Sequence, residues 1–210
     1  INLGLGALFK RFRLKEGNLM LQLVPDKLIY DLTSSYAESN IESVSTPKYI
    51  KDLGSPFKDD LIKVEQVFTE KGYELPVNDV VQRYSVATPK TKQIVVPKEI
   101  VAKANDLDED LKTDTLKIVY RASHKKLTMD DDWGDVFEEN ADLELPDAYM
   151  EALLYFVASR INNPIGMTNE FHAGNSYMMK YEQECMRLET ENLQMDITPT
   201  NTRAYRNGWV

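Results

Sequence analysis

Two stretches of helical apolar periodicity, separated by a short break, constrain the C-terminal half of this sequence more than any other feature. In the first stretch, apolar residues recur at the i, i+3, i+4, i+7 spacing of one buried helix face. The predicted face consists of Met150, Leu153, Leu154, Val157, Ala158 and Ile161. Pro146 suits the first position of this helix, and Asp147 and Glu151 lie near its positive end.

The second stretch begins after a break at Asn162-Asn163-Pro164 and Gly166, and Thr168 can cap it. Its apolar residues alternate between spacings of three and four, which is typical of a helix that packs lengthwise on a partner. This seam consists of Phe171, Gly174, Met178, Tyr181, Cys185 and Leu188. The short connection predicts an antiparallel helical hairpin over residues 146–195.

Residues 11–128 show period-two alternation in short apolar runs that Pro, Gly and Asp separate. The predicted strands are 19–24, 28–30, 61–68, 80–86, 93–96 and 114–122, with Leu116, Ile118 and Tyr120 on one face of the last. Residues 98–112 are expected to hold a short helical turn or an exposed loop. Together with the hairpin, these strands predict an α+β fold whose β-rich module is an antiparallel sandwich or barrel-like.

Five parts follow from these patterns, and nothing helical is predicted before Phe9. They are an N-terminal segment (1–10), a β-rich platform module (11–128), an acidic connector (129–145), the helical hairpin (146–195) and an extended C-terminal docking arm (196–210). Because the sequence begins at Ile1 without a methionine, we expect an upstream segment.

The charge balance limits the partners of the chain. Acidic residues number 34 and basic residues 25, which gives a formal net charge of −9. A free-standing nucleic-acid binder would carry a basic surface, so the charge disfavours this class. An acidic wall that DNA passes without sticking is compatible with the charge.

No run approaches the roughly 18 apolar residues of a membrane-spanning helix. We expect a soluble protein made in a reducing cytosol, without membrane association.

The residue types that carry catalysis are sparse. Cys185 is the only cysteine, so an intrachain disulfide is impossible, and its place on the apolar seam predicts an inert core thiol. His124 and His172 lie far apart and lack the spacings of zinc ligands. Asp59-Asp60 and Glu138-Glu139 are adjacent pairs without a sign of a shared site.

The acidic run from Asp130 to Asp135 resembles a calcium loop only superficially. Counting from Asp130, the fifth position is Gly134 and the sixth is Asp135, whereas an EF-hand needs an oxygen ligand and then glycine. A solvated acidic loop is therefore predicted. No catalytic residue, cofactor or metal site is predicted anywhere in the sequence.

The C-terminal arm combines residues that dominate interface energies on a segment too short to form its own core. Its candidate partner-binding residues are Arg203, Tyr205, Arg206 and Trp209. We expect this arm to order against a partner protein.

Several motifs in matching order carry a resemblance to a known family. The start of the hairpin, Leu145-Pro146-Asp147-Ala148-Tyr149, leads into a helix that ends at Ala158-Ser159-Arg160-Ile161-Asn162-Asn163. A second helix rich in Glu and Met contains residues 180–187. Near the front, Phe12-Arg13-Leu14-Lys15-Glu16-Gly17 precedes residues 21–26, which end in Pro-Asp, and the strand 116–122 also fits. In these motifs, which cover about half of the chain, the sequence resembles the tail adaptors, or gatekeepers, of short-tailed bacteriophages. This family comprises tubular tail protein A and the related tail accessory factors.

The resemblance implies a structural virion protein without enzymatic activity, assembled in the host cytoplasm. It would form a homo-oligomeric ring of twelve copies that joins the phage portal protein to the tail nozzle (tubular tail protein B-like). Double-stranded DNA would pass its channel during ejection without specific binding. On this basis we hypothesise that the hairpin packs between neighbouring copies and that the arm 196–210 clamps the portal. The residues expected in the inter-subunit helix packing are Leu153, Val157, Met178, Tyr181 and Leu188.

The sequence departs from the family pattern at its start, because family members open with helices that join the hairpin in a bundle. Other functions also fit the chain. One is another virion neck or tail ring protein, such as a nozzle subunit. Another is a hydrolase or a β-sandwich carbohydrate-binding module, which would need a pocket with clustered acids and exposed aromatics, or a metal. A monomeric β module with a helical appendage is the last.

Overall fold

A computed structural model describes residues 1–42, 47–103, 108–127, 143–162 and 168–191, without the side chains of residues 168–173. It has the α+β fold that the sequence predicted, with two antiparallel sheets and a helical hairpin. The chain forms two compact units. The β unit comprises residues 15–125, and the helical unit comprises residues 1–14 together with residues 126–210.

The described elements place one helix first, most of the strands in the middle and two helices last. In order they are α1 (Asn2–Arg11), β1 (Glu16–Gln22), β2 (Ile29–Asp31), a 3₁₀ turn (Ser34–Tyr36), β3 (Ile50–Lys51), β4 (Leu61–Thr69), β5 (Glu74–Leu75), β6 (Ala87–Lys90), β7 (Gln93–Val95), α2 (Lys98–Val101), β8 (Thr115–Ala122), a second 3₁₀ turn (Asp147–Tyr149), α3 (Met150–Ile161) and α4 (Thr168–Thr190).

Two separate antiparallel sheets build the β unit. The larger has the strand order β3-β1-β8-β4-β5, and the smaller has the order β2-β7-β6. Strands β1 and β8 pair without a register shift from Glu16 opposite Arg121 to Gln22 opposite Thr115. Both sheets contribute to one buried apolar cluster, with Leu21 and Ile118 from the larger and Ile94 from the smaller among its members.

Strand β8 confirms the face that its alternation predicts, since Leu116, Ile118 and Tyr120 are all buried. The ring of Tyr120 lies over Gly17, its cross-strand partner, so closely that a Cβ atom at Gly17 would be 2.2 Å from the ring carbon Cζ. The Tyr120 hydroxyl donates a hydrogen bond of 3.0 Å to Asp60 Oδ1. Glycine at this strand position is therefore explained by the space that an aromatic neighbour occupies.

The short helix α2 confirms one of the two structures expected within residues 98–112.

The predicted strand at residues 80–86 is wrong. Asn78 and Tyr84 have left-handed φ angles of 54° and 71°, and they bracket a loop in which Val80 and Val81 are almost fully exposed. Side chains hold this loop at its base, for example through the Asp79 amide, which donates to Ser85 Oγ at 2.9 Å. The β-branched residues therefore fit a strand pattern without lying in a strand.

The expectation that nothing helical precedes Phe9 is also wrong, because α1 begins at Asn2. Its buried residues Leu5, Leu8 and Phe9 have helical spacing, and α1 contacts α3 within the helical unit. Two glycines, Gly4 and Gly6, lower the intrinsic helix propensity of this segment. Packing of its apolar face accounts for a helix that propensity alone does not favour.

Helix α3 buries a face that is rotated from the predicted one, and Leu153 belongs to both faces. Ala152, Leu153, Phe156 and Ser159 point into the helical unit, whereas Leu154 and Ile161 of the predicted face are exposed. Glu151 and Arg160 are the only charged residues of α3, so its apolar residues surround most of the helix. Such a sequence does not select one face by periodicity, and the contacts with neighbouring helices decide.

The described part of the α4 seam agrees with its prediction. Gly174, Tyr181, Cys185 and Leu188 are buried, and Met178 is half-buried. Phe171 lies outside the residues whose side chains are described. Residues 129–142 of the acidic connector (129–145) and the C-terminal arm also lie outside the described residues.

Candidate functional site

The candidate site is a surface of the helical unit. Contacts in the interior of this unit hold the helices that form the surface. Helix α1 approaches α3 closely at Gly4, where a Cβ atom would be 2.7 Å from Leu153 Cδ1. On the other side of α3, Phe156 meets Tyr181 of α4 edge to face, with ring centroids 5.3 Å apart. The three helices therefore pack against one another through small and aromatic residues.

A charged cluster fixes α1 against α4. Arg11 Nη1 donates to Glu182 Oε2 at 2.6 Å, and Arg11 Nε donates to Glu189 Oε1 at 2.8 Å. The two glutamates are seven residues apart and thus occupy the same face of α4. The hydrogen bond from Arg11 lowers the pKa of Glu189, and the hydrogen bond with Glu189 is the main cause that raises the pKa of Arg11.

An apolar groove opens between α1 and α3. Ile1, Leu3 and Gly4 line it from one side, and Phe156, Val157, Arg160 and Ile161 line it from the other. Its volume is about 430 Å³. We call this feature the α1–α3 groove.

The outer face of α3 continues this groove. Leu154 is 61% exposed and Ile161 is 71% exposed, and they are two helical turns apart on the same side of the helix. Val157 lies between them at helical spacing and is half-buried. Large apolar side chains in a contiguous, uncovered group mark interaction surfaces more often than isolated ones do. We call Leu154, Val157 and Ile161 the outer face of α3.

The structure separates the residues that the sequence assigned to inter-subunit packing. Leu153, Tyr181 and Leu188 are buried in the helical unit of their own chain. Met178 is half-buried, and its sulfur lies 3.9 Å from the Ser159 hydroxyl. Val157 lies in the outer face and in the groove.

Leu154 and Ile161 are the most exposed large apolar residues of α3, and the sequence named them only as members of a buried face. The scarcity of charged residues on α3 could have predicted this exposure from the sequence. It leaves the helix with two apolar faces, whereas packing within the chain needs one. The predicted partner-binding residues Arg203, Tyr205, Arg206 and Trp209 lie outside the described residues, and their role stays a prediction.

The residues considered for chemistry have structural roles where they are described. Cys185 is buried, which raises the pKa of its thiol, and a buried thiol behaves as a small apolar side chain. Asp59 pairs with Lys92 Nζ at 2.9 Å, whereas Asp60 accepts the hydrogen bond from Tyr120. Asp59 and Asp60 therefore serve different partners.

The described residues hold neither a group of metal ligands nor a membrane-spanning helix. Within the described ranges, no group of three or more His, Cys, Asp or Glu side chains is placed to hold a metal ion. The acidic run 130–135 and Glu138-Glu139 lie outside those ranges. Among the helices of the described residues, none combines the length and the apolar character needed to cross a bilayer.

Comparison with known proteins leaves the family of this chain open. No protein-family model matches the sequence, and no curated protein matches it either.

Proposed function

We propose that this chain is a structural assembly subunit, the head-to-tail adaptor of a short-tailed bacteriophage. In this proposal it forms a homo-oligomeric ring between the portal protein and the tail nozzle, and the ring surrounds the channel through which DNA leaves the capsid. The chain acts by binding proteins and catalyses no reaction.

The outer face of α3 is the observation that carries this proposal. Its residues Leu154 and Ile161 are exposed in the single chain although α3 already buries its opposite face. Exposing such side chains to water costs on the order of 25 cal/mol for each Å² of apolar surface, and burial against another protein recovers this free energy. A surface of this kind is expected of a subunit that works inside an assembly.

Helix α1 supports the same proposal through the family resemblance. The sequence alone departed from the adaptor pattern because no helix was predicted ahead of the β module. In the structure α1 packs on α3, and Arg11 binds Glu182 and Glu189 of α4. The helical unit therefore has one helix ahead of the β module, where the resemblance leads one to expect helices that join the hairpin.

The net charge of −9 is compatible with a ring that DNA must pass. Like charges on the lumen and on the phosphate backbone repel each other, so DNA would move without adhering. In a ring, each copy contacts the next through two different surfaces, and the outer face of α3 is proposed as one of them.

Mass photometry tests the proposal directly. The full chain is measured alone and after mixing with the portal protein encoded in the same genome. We expect the chain alone to be monomeric and to form a twelve-copy complex on the portal ring. A chain that does not bind the portal at micromolar concentration contradicts the adaptor function.

A double variant separates the contribution of the outer face of α3. Leu154→Ser with Ile161→Ser is expected to keep the thermal unfolding temperature, because both side chains are exposed, and to lose ring formation on the portal. The matched control is Ile41→Ser, which removes an apolar side chain that is 83% exposed in the β unit. Ring formation by the double variant equal to that of the control would show that the outer face of α3 is no interface.

A further inference from the structure

Helix α4 carries exposed apolar side chains on the side opposite its buried seam. Met179 is 64% exposed and Met186 is 52% exposed. They are two helical turns apart, and Gln183 lies between them at helical spacing and is exposed. Tyr181 and Cys185 of the seam lie on the other side of the helix and are buried. We call Met179, Gln183 and Met186 the outer face of α4.

Two contacts inside the hairpin fix the direction of α4 relative to α3. Phe156 meets Tyr181, whereas Ser159, later in α3, meets Met178, which is earlier in α4. Because position rises along one helix while it falls along the other, the two helices are antiparallel. Both contacts use the inner side of each helix. The outer faces of α3 and α4 therefore point away from each other.

The two outer faces match in length. Leu154 and Ile161 are seven residues apart on α3, and Met179 and Met186 have the same separation on α4. An α4 helix of another copy that lies antiparallel to α3 can therefore set Met186 against Leu154. In the same register, Met179 lies against Ile161. Methionine suits such a contact, because its flexible side chain adapts to the shape of the apolar surface that it meets.

Charged residues flank the two faces in a complementary order. At 3.6 residues per turn, Glu151 and Arg160 lie on opposite flanks of the outer face of α3, as Arg187 and Glu182 do on α4. In antiparallel packing the corresponding flanks meet, so Glu151 faces Arg187. On the other flank Arg160 faces Glu182. Parallel packing would instead place Arg160 beside Arg187, and like charges in contact are unfavourable. The charges therefore select the antiparallel arrangement.

The charged groups on the second flank have the capacity for this pair. Arg160 is exposed, its guanidinium carbon lies 5.2 Å from the centroid of the Phe156 ring, and it forms no ion pair with any residue that the structure describes. Glu182 is 47% exposed, and Arg11 binds its Oε2 atom. The Oε1 atom can accept a hydrogen bond from a guanidinium of another copy.

We propose that the outer face of α3 in one copy packs antiparallel against the outer face of α4 in the next copy. This inference rests on the proposed ring and names the second surface of its subunit contact. Both faces belong to the helical unit.

The arrangement sets the direction of neighbouring copies. Helix α4 of the second copy is antiparallel to α3 of the first, and that α3 is antiparallel to α4 of its own chain. The α4 helices of both copies therefore point the same way. Copies that share a direction and are joined through two different surfaces can repeat until a ring closes.

Disulfide cross-linking of the full chain tests this contact. In the variant Leu154→Cys with Met186→Cys, the new thiols of neighbouring copies lie opposite each other, and oxidation by diamide should link chains in series. We expect a ladder of covalent dimers, trimers and larger species on a denaturing gel. The matched control is Leu154→Cys with Met179→Cys, in which the thiols are two helical turns out of register and should give no ladder. Native Cys185 is buried in both variants.

Mass photometry of the same samples, with and without the portal ring, separates this contact from the adaptor function. A ladder from the first variant alone supports the contact. Rings that assemble on the portal without a ladder, or equal ladders from both variants, would overturn the contact and leave the adaptor function standing. A ladder without portal binding would support the contact and contradict the adaptor function. The absence of both ring and ladder would overturn both.

The variant Arg160→Glu tests the charge pairing. It places two carboxylates of neighbouring copies beside each other and should raise the concentration needed for ring assembly about tenfold. The matched control is Lys117→Glu, which makes the same charge change at an exposed position of β8 and should leave assembly unchanged. Equal assembly of the two variants would overturn the antiparallel register.

Discussion

Phe12 and Tyr149 meet edge to face in the helical unit, with ring centroids 5.0 Å apart and an angle of 64° between the rings. The first follows α1 and the second precedes α3, and both are buried. In the sequence they belong to two separate motifs, one near the start of the chain and one at the start of the hairpin, both of which carry the resemblance to the phage adaptors. Their contact gives these separate motifs a common structural role, which is to join α1 to the start of the hairpin.

The hydroxyl of Tyr149 is buried and has no hydrogen-bond partner among the described residues. Burial also raises the pKa of this phenol. Removing a buried donor without a partner relieves its desolvation cost, so Tyr149→Phe is expected to stabilise the fold by about 1 kcal/mol. Urea unfolding measures the change. The companion variant Tyr149→Ala removes the ring and should destabilise by about 3 to 5 kcal/mol. A destabilising Tyr149→Phe would mean that the hydroxyl has a partner.

The two glycines of α1 should respond in opposite ways to alanine. At Gly6 a Cβ atom would meet nothing within 4 Å, so Gly6→Ala should stabilise by about 1 kcal/mol through helix propensity. At Gly4 the same atom would be 2.7 Å from Leu153 Cδ1. Overpacking costs about 1 to 3 kcal/mol and outweighs the same propensity gain, so Gly4→Ala should destabilise by up to about 2 kcal/mol net. Thermal unfolding compares the two variants directly. Equal shifts of the unfolding temperature would contradict the close approach of α1 to α3.

Gly17 is expected to be the most sensitive glycine of the β unit. An alanine Cβ would displace the Tyr120 ring and break its hydrogen bond to Asp60, so Gly17→Ala should destabilise by about 2 to 4 kcal/mol. Gly54→Ala serves as the control, because a Cβ there meets nothing within 4 Å. Chemical denaturation measures the free energy of unfolding of both variants. A cost at Gly17 no greater than at Gly54 would refute the steric explanation.

Asp52 should contribute a pH-dependent part of the stability. Burial alone would raise its pKa, but hydrogen bonds from the amide and hydroxyl of Ser39 and from the Phe57 amide outweigh burial and lower it. Since the folded pKa lies below the unfolded value of about 3.9, the contribution is complete above that pH and is lost as pH falls through the folded pKa.

The variant Asp52→Asn tests this expectation by urea unfolding at neutral and acidic pH. It should cost about 1.5 to 3 kcal/mol at pH 7, because the amide replaces a charged acceptor. The cost should shrink below about pH 4. Asp26→Asn is the control, since Asp26 is exposed and its left-handed φ of 64° also suits asparagine. A cost at Asp52 that does not change with pH would rule out the ionised carboxylate as its source.

Deleting residues 197–210 should abolish portal binding while the unfolding temperature stays unchanged. The arm carries Arg203, Tyr205, Arg206 and Trp209, and aromatic and Arg side chains supply most of the free energy in protein interfaces. The control is the variant with alanine at all four positions. Because it keeps the length of the arm, it separates the effect of these side chains from the effect of shortening the chain. Normal portal binding by the deletion variant would exclude the arm as the anchor.

Local sequence patterns were sufficient to predict those parts of the protein in which one pattern has one structural solution. The seam Tyr181, Cys185 and Leu188 has charged and polar residues on the other sides of α4, so its burial followed from periodicity. The alternation of Leu116, Ile118 and Tyr120 likewise fixed the inner face of β8.

Long-range packing, which no local pattern contains, selects the face that α3 buries and the helical state of residues 2–11. Helix α3 is apolar on most sides, so its contacts with α1 and α4 select Phe156 for the interior and leave Leu154 and Ile161 exposed. The two glycines of α1 oppose a helix locally, and burial of Leu5, Leu8 and Phe9 overcomes that cost. Packing free energy depends on neighbours distant in sequence, whereas periodicity and propensity are local. The outer face of α3, on which the proposed function rests, is therefore a property of the folded chain.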